Sequence, residues 1–259
     1  MEHRDRVLSR VTHATENIIK LELLIQESPP FSYYLETDLL TGKRATFVKC
    51  NEAVADKIAF TASDIIHTLR AALDNAYWAI VAPFSQNDSE KRRIQFPFCE
   101  KKDDLENELK KRLADRVGQK FCDSLVNLKP FQKHGGDPFL GLVHWMNVED
   151  KHRELIPIAE LKMISSEQMQ ELIPDFPPGF KDVTLGQNYR DVTWYNPTAI
   201  QKVAPPLATR IETRVDVQIE AMFFFSKPPY RGKVIATLNE MVSATRKAIE
   251  AIRGAGPHP

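Results

Sequence analysis

The sequence predicts an α+β protein, mainly a helical bundle, supplemented by an antiparallel sheet from the C-terminal half. Two observations carry this. Apolar residues recur at helical spacing over long stretches near the start, middle and end of the chain, and a run at 211–225 alternates apolar with polar residues. The 259 residues are expected to form a single domain, 1–259. Its 1–153 part is mainly helical and contains a 31–49 hairpin; its 154–259 part supplies strands and a closing helix. A chain of this length buries about three-quarters of its unfolded surface, so the core requires neither metal nor disulfide.

Val7, Val11, Ala14, Ile18, Leu21 and Ile25 are spaced by fours and threes, the mark of a long amphipathic helix that Ser28-Pro29-Pro30 stops. Phe31 to Leu39 and Ala45 to Lys49 are rich in strand-forming residues and flank Thr41-Gly42, so they read as a hairpin laid against the helices. From Val54 to Ala82 there is neither proline nor glycine, and Ile58, Ile65, Ile66, Leu69, Leu73, Ala76, Tyr77 and Ile80 repeat at helical spacing, which makes this the central helix. A polar loop over 85–93 follows. Then come a short strand candidate at Ile94 to Phe98 and helices near 103–116 and 120–129. Asp137 offers an N-cap, with Pro138 at the first helical position, for a helix ending near Arg153.

Beyond Arg153, strands are expected at 155–164 and 191–195, with a proline-rich loop around 174–179 between them. Ile211, Thr213, Val215, Val217, Ile219, Ala221, Phe223 and Phe225 then alternate with polar residues, giving one buried and one wet face. Val234, Leu238, Met241, Val242, Ala248, Ile249 and Ile252 mark a closing helix that Gly254 ends.

Composition excludes several function classes. Thirty-five basic side chains balance 35 acidic ones, which removes overall charge as an argument for nucleic-acid binding and leaves only a local patch. Cys50, Cys99 and Cys122 are widely spaced and in no C-x-x-C arrangement, so a reducing, cytoplasmic setting is expected, with the thiols buried and structural. No run of about 18 apolar residues occurs and none follows the charged N-terminus, so no membrane span or export signal is expected. No glycine-rich phosphate loop or dinucleotide fingerprint is present, and no cofactor is expected. Lys91-Arg92-Arg93, Lys101-Lys102 and Lys110-Lys111-Arg112 are diluted by Glu90, Glu100, Asp103 and Asp104, which makes a solvated face the better reading.

Two clusters concentrate the polar chemistry. On the central helix, at about 100° per residue, His67, Arg70 and Asp74 fall within about 60° on the flank of the apolar arc, with Asn75 slightly further round. Arg70 and Asp74 are spaced to pair, and His67 sits one turn away, an acid–base group beside a fixed cation. The structural alternative is an ordinary surface pair worth a few tenths of a kcal/mol, roughly. The second cluster is Asn147-Val148-Glu149-Asp150-Lys151-His152-Arg153, in which five of seven side chains are ionisable. Cations at a helix C-terminus complement its dipole, which explains Lys151 without invoking function. Asp150 at such an end is unfavourable and calls for a cation, which Arg70 supplies if the two helices pack antiparallel. His67, Asp74, Asp150 and His152 are the right types for a zinc or manganese site, but no ligand spacing supports one, so no metal is assigned.

With these residues in view the chain resembles a broad family of uncharacterised bacterial and phage proteins. The resemblance rests on the long first helix, the Thr-Gly hairpin, the segment Ser63 to Asn75 and the segment Asn147 to Arg153, and it extends through Ala159. The family pattern reads D-x-x-H-x-L-R-x-A-L-D-H, then an F-P-I-like piece matched by Phe96-Pro97-Phe98, then N-x-x-D-K-H-R. The resemblance supports the choice of residues and implies no particular reaction. The chain is also similar to HEPN domains, helical modules that often act as metal-independent ribonucleases through an Arg followed a turn or so later by His. Here Asn75 stands where that His is required, and an amide cannot transfer a proton near neutral pH.

Two functions follow as expectations. In one, the protein is a HEPN-like, metal-independent ribonuclease or phosphate-binding protein, phage- or defence-related. His67 or His152 serves as general base and acid, Arg70 and Arg153 stabilise the phosphorane-like charge, and Asp74 and Asp150 orient them. Asn75, Asn147 and Lys151 complete that site as substrate-binding residues. In the other, the same residues form a structural helix–helix network in a non-catalytic scaffold or binding protein. RNA, a protein partner or a second copy of the chain are the partners these readings imply, the seam of the first helix serving either a bundle or a homodimer.

Overall fold

The computed structural model describes residues 2–38, 44–133, 135–152, 171, 193–196, 199–200, 210–215, 221–226 and 229–257. The elements run α1 (Glu2–Glu27), β1 (Phe31–Asp38), β2 (Arg44–Cys50), α2 (Glu52–Val81), α3 (Asp88–Lys91), α4 (Leu105–Lys111), α5 (Gln119–Leu128) and α6 (Pro138–His152). They continue β3 (Thr193–Asn196), β4 (Ala199–Ile200), β5 (Arg210–Val215), β6 (Met222–Ser226), β7 (Pro229–Lys233) and α7 (Val234–Ala255). The mainly helical α+β class is as predicted. Chain contacts divide these elements between two compact units, one of Met1–Glu22, Phe60–Ile156 and Ile235–Pro259, the other of Leu23–Ala59 and Pro157–Val234.

The first unit is helical. The α1 seam of Val7, Val11, Ala14, Ile18 and Leu21 is buried, so the chain itself covers it. On α2, Ile65, Ile66, Leu69, Leu73, Ala76 and Tyr77 are buried at the expected spacing, as are Leu238, Met241, Ile249 and Ile252 on α7. Each large aliphatic side chain so enclosed contributes about 1.5–3 kcal/mol of transfer free energy. Tyr77 lies edge-on to Phe96 and tilted against Phe121, and its hydroxyl donates to the Arg112 carbonyl at 3.0 Å. Burial pushes that phenol above its ordinary pKa, with Cys122 adding to the rise. The α5 hydroxyl of Ser124 donates to the Ala251 carbonyl of α7 at 3.2 Å.

Helix α6 starts where Asp137 and Pro138 predict: Asp137 Oδ1 accepts the backbone N–H groups of Phe139 at 3.0 Å and Leu140 at 2.9 Å. The preceding loop is tight, and a Cβ on Gly136 would stand 1.7 Å from the Phe131 carbonyl oxygen, so only glycine fits.

Three local expectations are corrected. Ile94 to Phe98 forms no strand: the Phe96 N–H goes to the Asp74 side chain, and the Phe98 N–H turns back to the Phe96 carbonyl. The expected polar loop at 85–93 holds α3, whose cap is Asn87: its Oδ1 accepts the Glu90 N–H at 2.9 Å. Asn followed three residues later by Glu is a capping signature, with no apolar run behind it to announce the helix. The helix expected over 103–116 is reduced to α4 between two 3-10 turns, broken where Leu113 takes the left-handed conformation at φ 64°.

The second unit holds a five-stranded sheet in the order β4-β3-β2-β1-β5 and a separate hairpin, β6-β7, every pairing antiparallel. The 31–49 hairpin therefore supplies two inner strands of the sheet. A lone hairpin is marginal in water and gains stability from flanking strands, here β5 beside β1 and β3 beside β2. Tyr33, Tyr34 and Leu35 pair with Val215, Arg214 and Thr213. The strand at 155–164, the Thr41-Gly42 turn and the 174–179 loop of the sequence reading lie outside the described residues. Among those described, no helix is long and apolar enough to cross a membrane.

Candidate functional site

In the helical unit His67 of the first polar cluster meets Asn147 of the second. His67 on α2 is exposed, and its Nδ1 lies 3.1 Å from Oδ1 of Asn147 on α6, which is buried. An amide oxygen only accepts, so Nδ1 is the donor, and in the neutral imidazole Nε2 carries the lone pair. One turn along α2 the Arg70 guanidinium lies over the Phe98 ring, 4.5 Å from its centroid. That ring stacks in turn on His144 of α6, at 4.7 Å and an interplanar angle of 4°. His67 thus faces Asn147 and Arg70 faces, through Phe98, the level of His144, one turn earlier in α6. The helices run antiparallel.

Arg70 is 8% exposed, and its Nη2 lies 3.0 Å from Asp74 Oδ1. Burial presses its pKa down, Asp74 opposes that, and Arg112 adds to it. The guanidinium Nη1 is buried without a hydrogen-bond acceptor. Asp74 Oδ1 also accepts the backbone N–H of Phe96 at 2.8 Å. The carboxylate therefore neutralises Arg70 and fastens the Phe96-Pro97-Phe98 segment, setting Phe98 beneath the guanidinium.

The pairing expected between Arg70 and Asp150 lies outside the described residues, because the Asp150 side chain is not among them. The partner of Arg70 is Asp74 on its own helix. Asn75 is half-buried. The side chains of Glu149, Asp150, Lys151 and His152, and the whole of Arg153, lie outside the described residues. Among the described residues, the structure thus brings together His67, Arg70, Asp74 and Asn147.

Sequence reasoning missed Phe98 and His144. The Phe96-Pro97-Phe98 segment is visible in the sequence, but nothing in its spacing says that its second aromatic stacks between an arginine and a histidine. Among the described residues no group of three His, Cys, Asp or Glu side chains is placed to hold a metal. Cys50, Cys99 and Cys122 form no disulfide and are half-buried; burial, then Asp104 and Glu108, push Cys99 up to about 11, and burial raises Cys122 as well. The basic stretches are solvated as expected, with Lys110 on Glu106 at 2.7 Å and Lys111 on Glu108 at 2.6 Å. No protein-family model, curated protein or solved structure matches the chain.

Proposed function

We propose that this chain is a non-catalytic scaffold or binding protein of the cytoplasm, of phage or bacterial origin, in which the polar residues of α2 and α6 are structural. The observation that supports this reading is the enclosure of Arg70. Its side chain is 10% exposed, with Nη2 on the Asp74 carboxylate and the guanidinium over the Phe98 ring, while Nη1 is buried without an acceptor. A phosphodiesterase aims such a cation at its substrate, whereas here it locks a loop to a helix. The partner is a protein or RNA. The α1 seam, buried within the chain, is occupied in the bundle, so a homodimer would draw instead on exposed α1 residues such as Leu8 and Ile19.

A second reading, metal-independent RNA cleavage of the HEPN-like kind, is favoured by one observation. The His67 ring is exposed and held through Nδ1 by a buried amide, the arrangement that presents Nε2 as a general base. In that reading Arg70 and Asp74 position the site without touching substrate, His152 is the second proton-transfer group, and Asn75 offers only hydrogen bonds. One experiment separates the two. Wild type and His67→Ala are incubated with a fluorescence-quenched RNA in EDTA, with thermal unfolding measured alongside. The scaffold reading expects no cleavage from either protein. Cleavage by wild type that His67→Ala loses at unchanged stability overturns it and establishes the nuclease.

A further inference from the structure

We propose that the sheet face carrying Tyr34, Lys49 and Arg214 binds a segment of single-stranded RNA, with a base stacked on the Tyr34 ring and phosphates held by the two cations. This uses none of the helix-network residues and depends on neither reading of them.

The three side chains come together through strand register. Strand residues two apart share a face, so Ser32 and Tyr34 of β1 lie together. Lys49 of β2 is the partner of Ser32, and Arg214 of β5 is the partner of Tyr34. Lys49 Nζ sits 4.7 Å from the centroid of the Tyr34 ring. Lys49 and Arg214 are exposed and Tyr34 is half-buried, so the face is not core. With Ser32 and Asn51 they line a cleft of about 610 Å³, within the range of about 300–1,000 Å³ typical of ligand sites.

The chemistry fits a nucleotide segment. A tyrosine ring already covered by an ammonium is a surface on which a base can stack once the lysine moves to a phosphate. Arg214, across β1 from Lys49, supplies a second phosphate contact, while the Ser32 hydroxyl and Asn51 amide can read a ribose 2′-hydroxyl or a base edge. The register also places Phe47 opposite Tyr34 and Trp194 opposite Ala45, two residues from Phe47. Glu27 and Glu52 line the cleft as well, which limits the electrostatic share of binding. Two phosphate contacts on a single strand give a salt slope of only about −1.4 in log K against log salt.

The test is fluorescence anisotropy of the full chain with a labelled single-stranded RNA 12-mer and the DNA of the same sequence, thermal unfolding confirming each variant. Saturable RNA binding is expected, weaker for DNA. Tyr34→Phe binds like wild type, Tyr34→Ala loses about tenfold or more, and Lys49→Gln with Arg214→Gln flattens the salt slope. Absence of saturable RNA binding, equal affinity for DNA, or a Tyr34→Ala protein that binds undiminished each overturns the proposal. Should Tyr34→Ala not fold, Arg214→Glu, at an exposed position, carries the test: undiminished binding overturns the proposal and a loss supports it.

Discussion

Asp74 and Phe96, 22 residues apart in sequence, are joined by a 2.8 Å hydrogen bond from the Phe96 backbone N–H to Asp74 Oδ1. The same oxygen neutralises Arg70. One carboxylate thus decides both the fate of a buried cation and the path of a loop.

Replacing Asp74 separates these roles. Asp74→Ala leaves Arg70 buried without its counter-charge and is expected to destabilise the fold by about 3–5 kcal/mol. Asp74→Asn keeps an acceptor for the Phe96 N–H and is expected to cost less. Denaturant unfolding of the two variants ranks them, and equal losses would show that the loop bond contributes nothing.

Glu90 provides the pH signature. Its carboxylate is gripped by Arg116 Nη1 at 2.7 Å and Nη2 at 2.8 Å, and this, with the Gln86 N–H, lowers its pKa from 4.5 to about 2. A carboxylate depressed in the folded state stabilises fully above its unfolded pKa and loses that contribution as pH falls through the folded one. The melting-temperature gap between wild type and Glu90→Gln should therefore be constant near neutrality. It should shrink below about pH 4.5 and close near pH 2. A gap independent of pH would refute the ion pair as its source.

Gly136→Ala forces a methyl group against the Phe131 carbonyl. A backbone atom cannot swing aside as a flexible side chain can, so a loss of about 1–3 kcal/mol is expected. Thermal unfolding measures it, and a neutral substitution would mean that the loop before α6 rearranges freely.

Cys99, with its pKa pushed up to about 11, should alkylate slowly at neutral pH. Its thiolate fraction there is about a hundredfold below that of a thiol at its ordinary pKa. Peptide mapping after iodoacetamide treatment distinguishes it from Cys50 and Cys122. Rapid neutral-pH labelling of Cys99 would contradict its partial burial beside Asp104 and Glu108.

Much of this was legible in the sequence. Periodicity alone placed α1, α2 and α7, because burying one helix face imposes its spacing wherever the helix packs. It also located β5, and the Asp137-Pro138 pair located the start of α6. The Arg70 and Asp74 pair follows from i, i+4 geometry, and the clusters around His67 and Asn147 were recognisable as such. Tertiary structure decided the rest. Ile94 to Phe98 has strand composition, yet its N–H goes to Asp74, a choice no local pattern encodes. Strand pairing joins residues as distant as Tyr34 and Arg214, and only that pairing makes both hairpin strands inner strands of the sheet. Whether Arg70 faces a substrate or the Phe98 ring depends likewise on where a loop 28 residues away comes to rest. Local spacing fixes which residues can share a face, and the packing of distant segments fixes what that face meets.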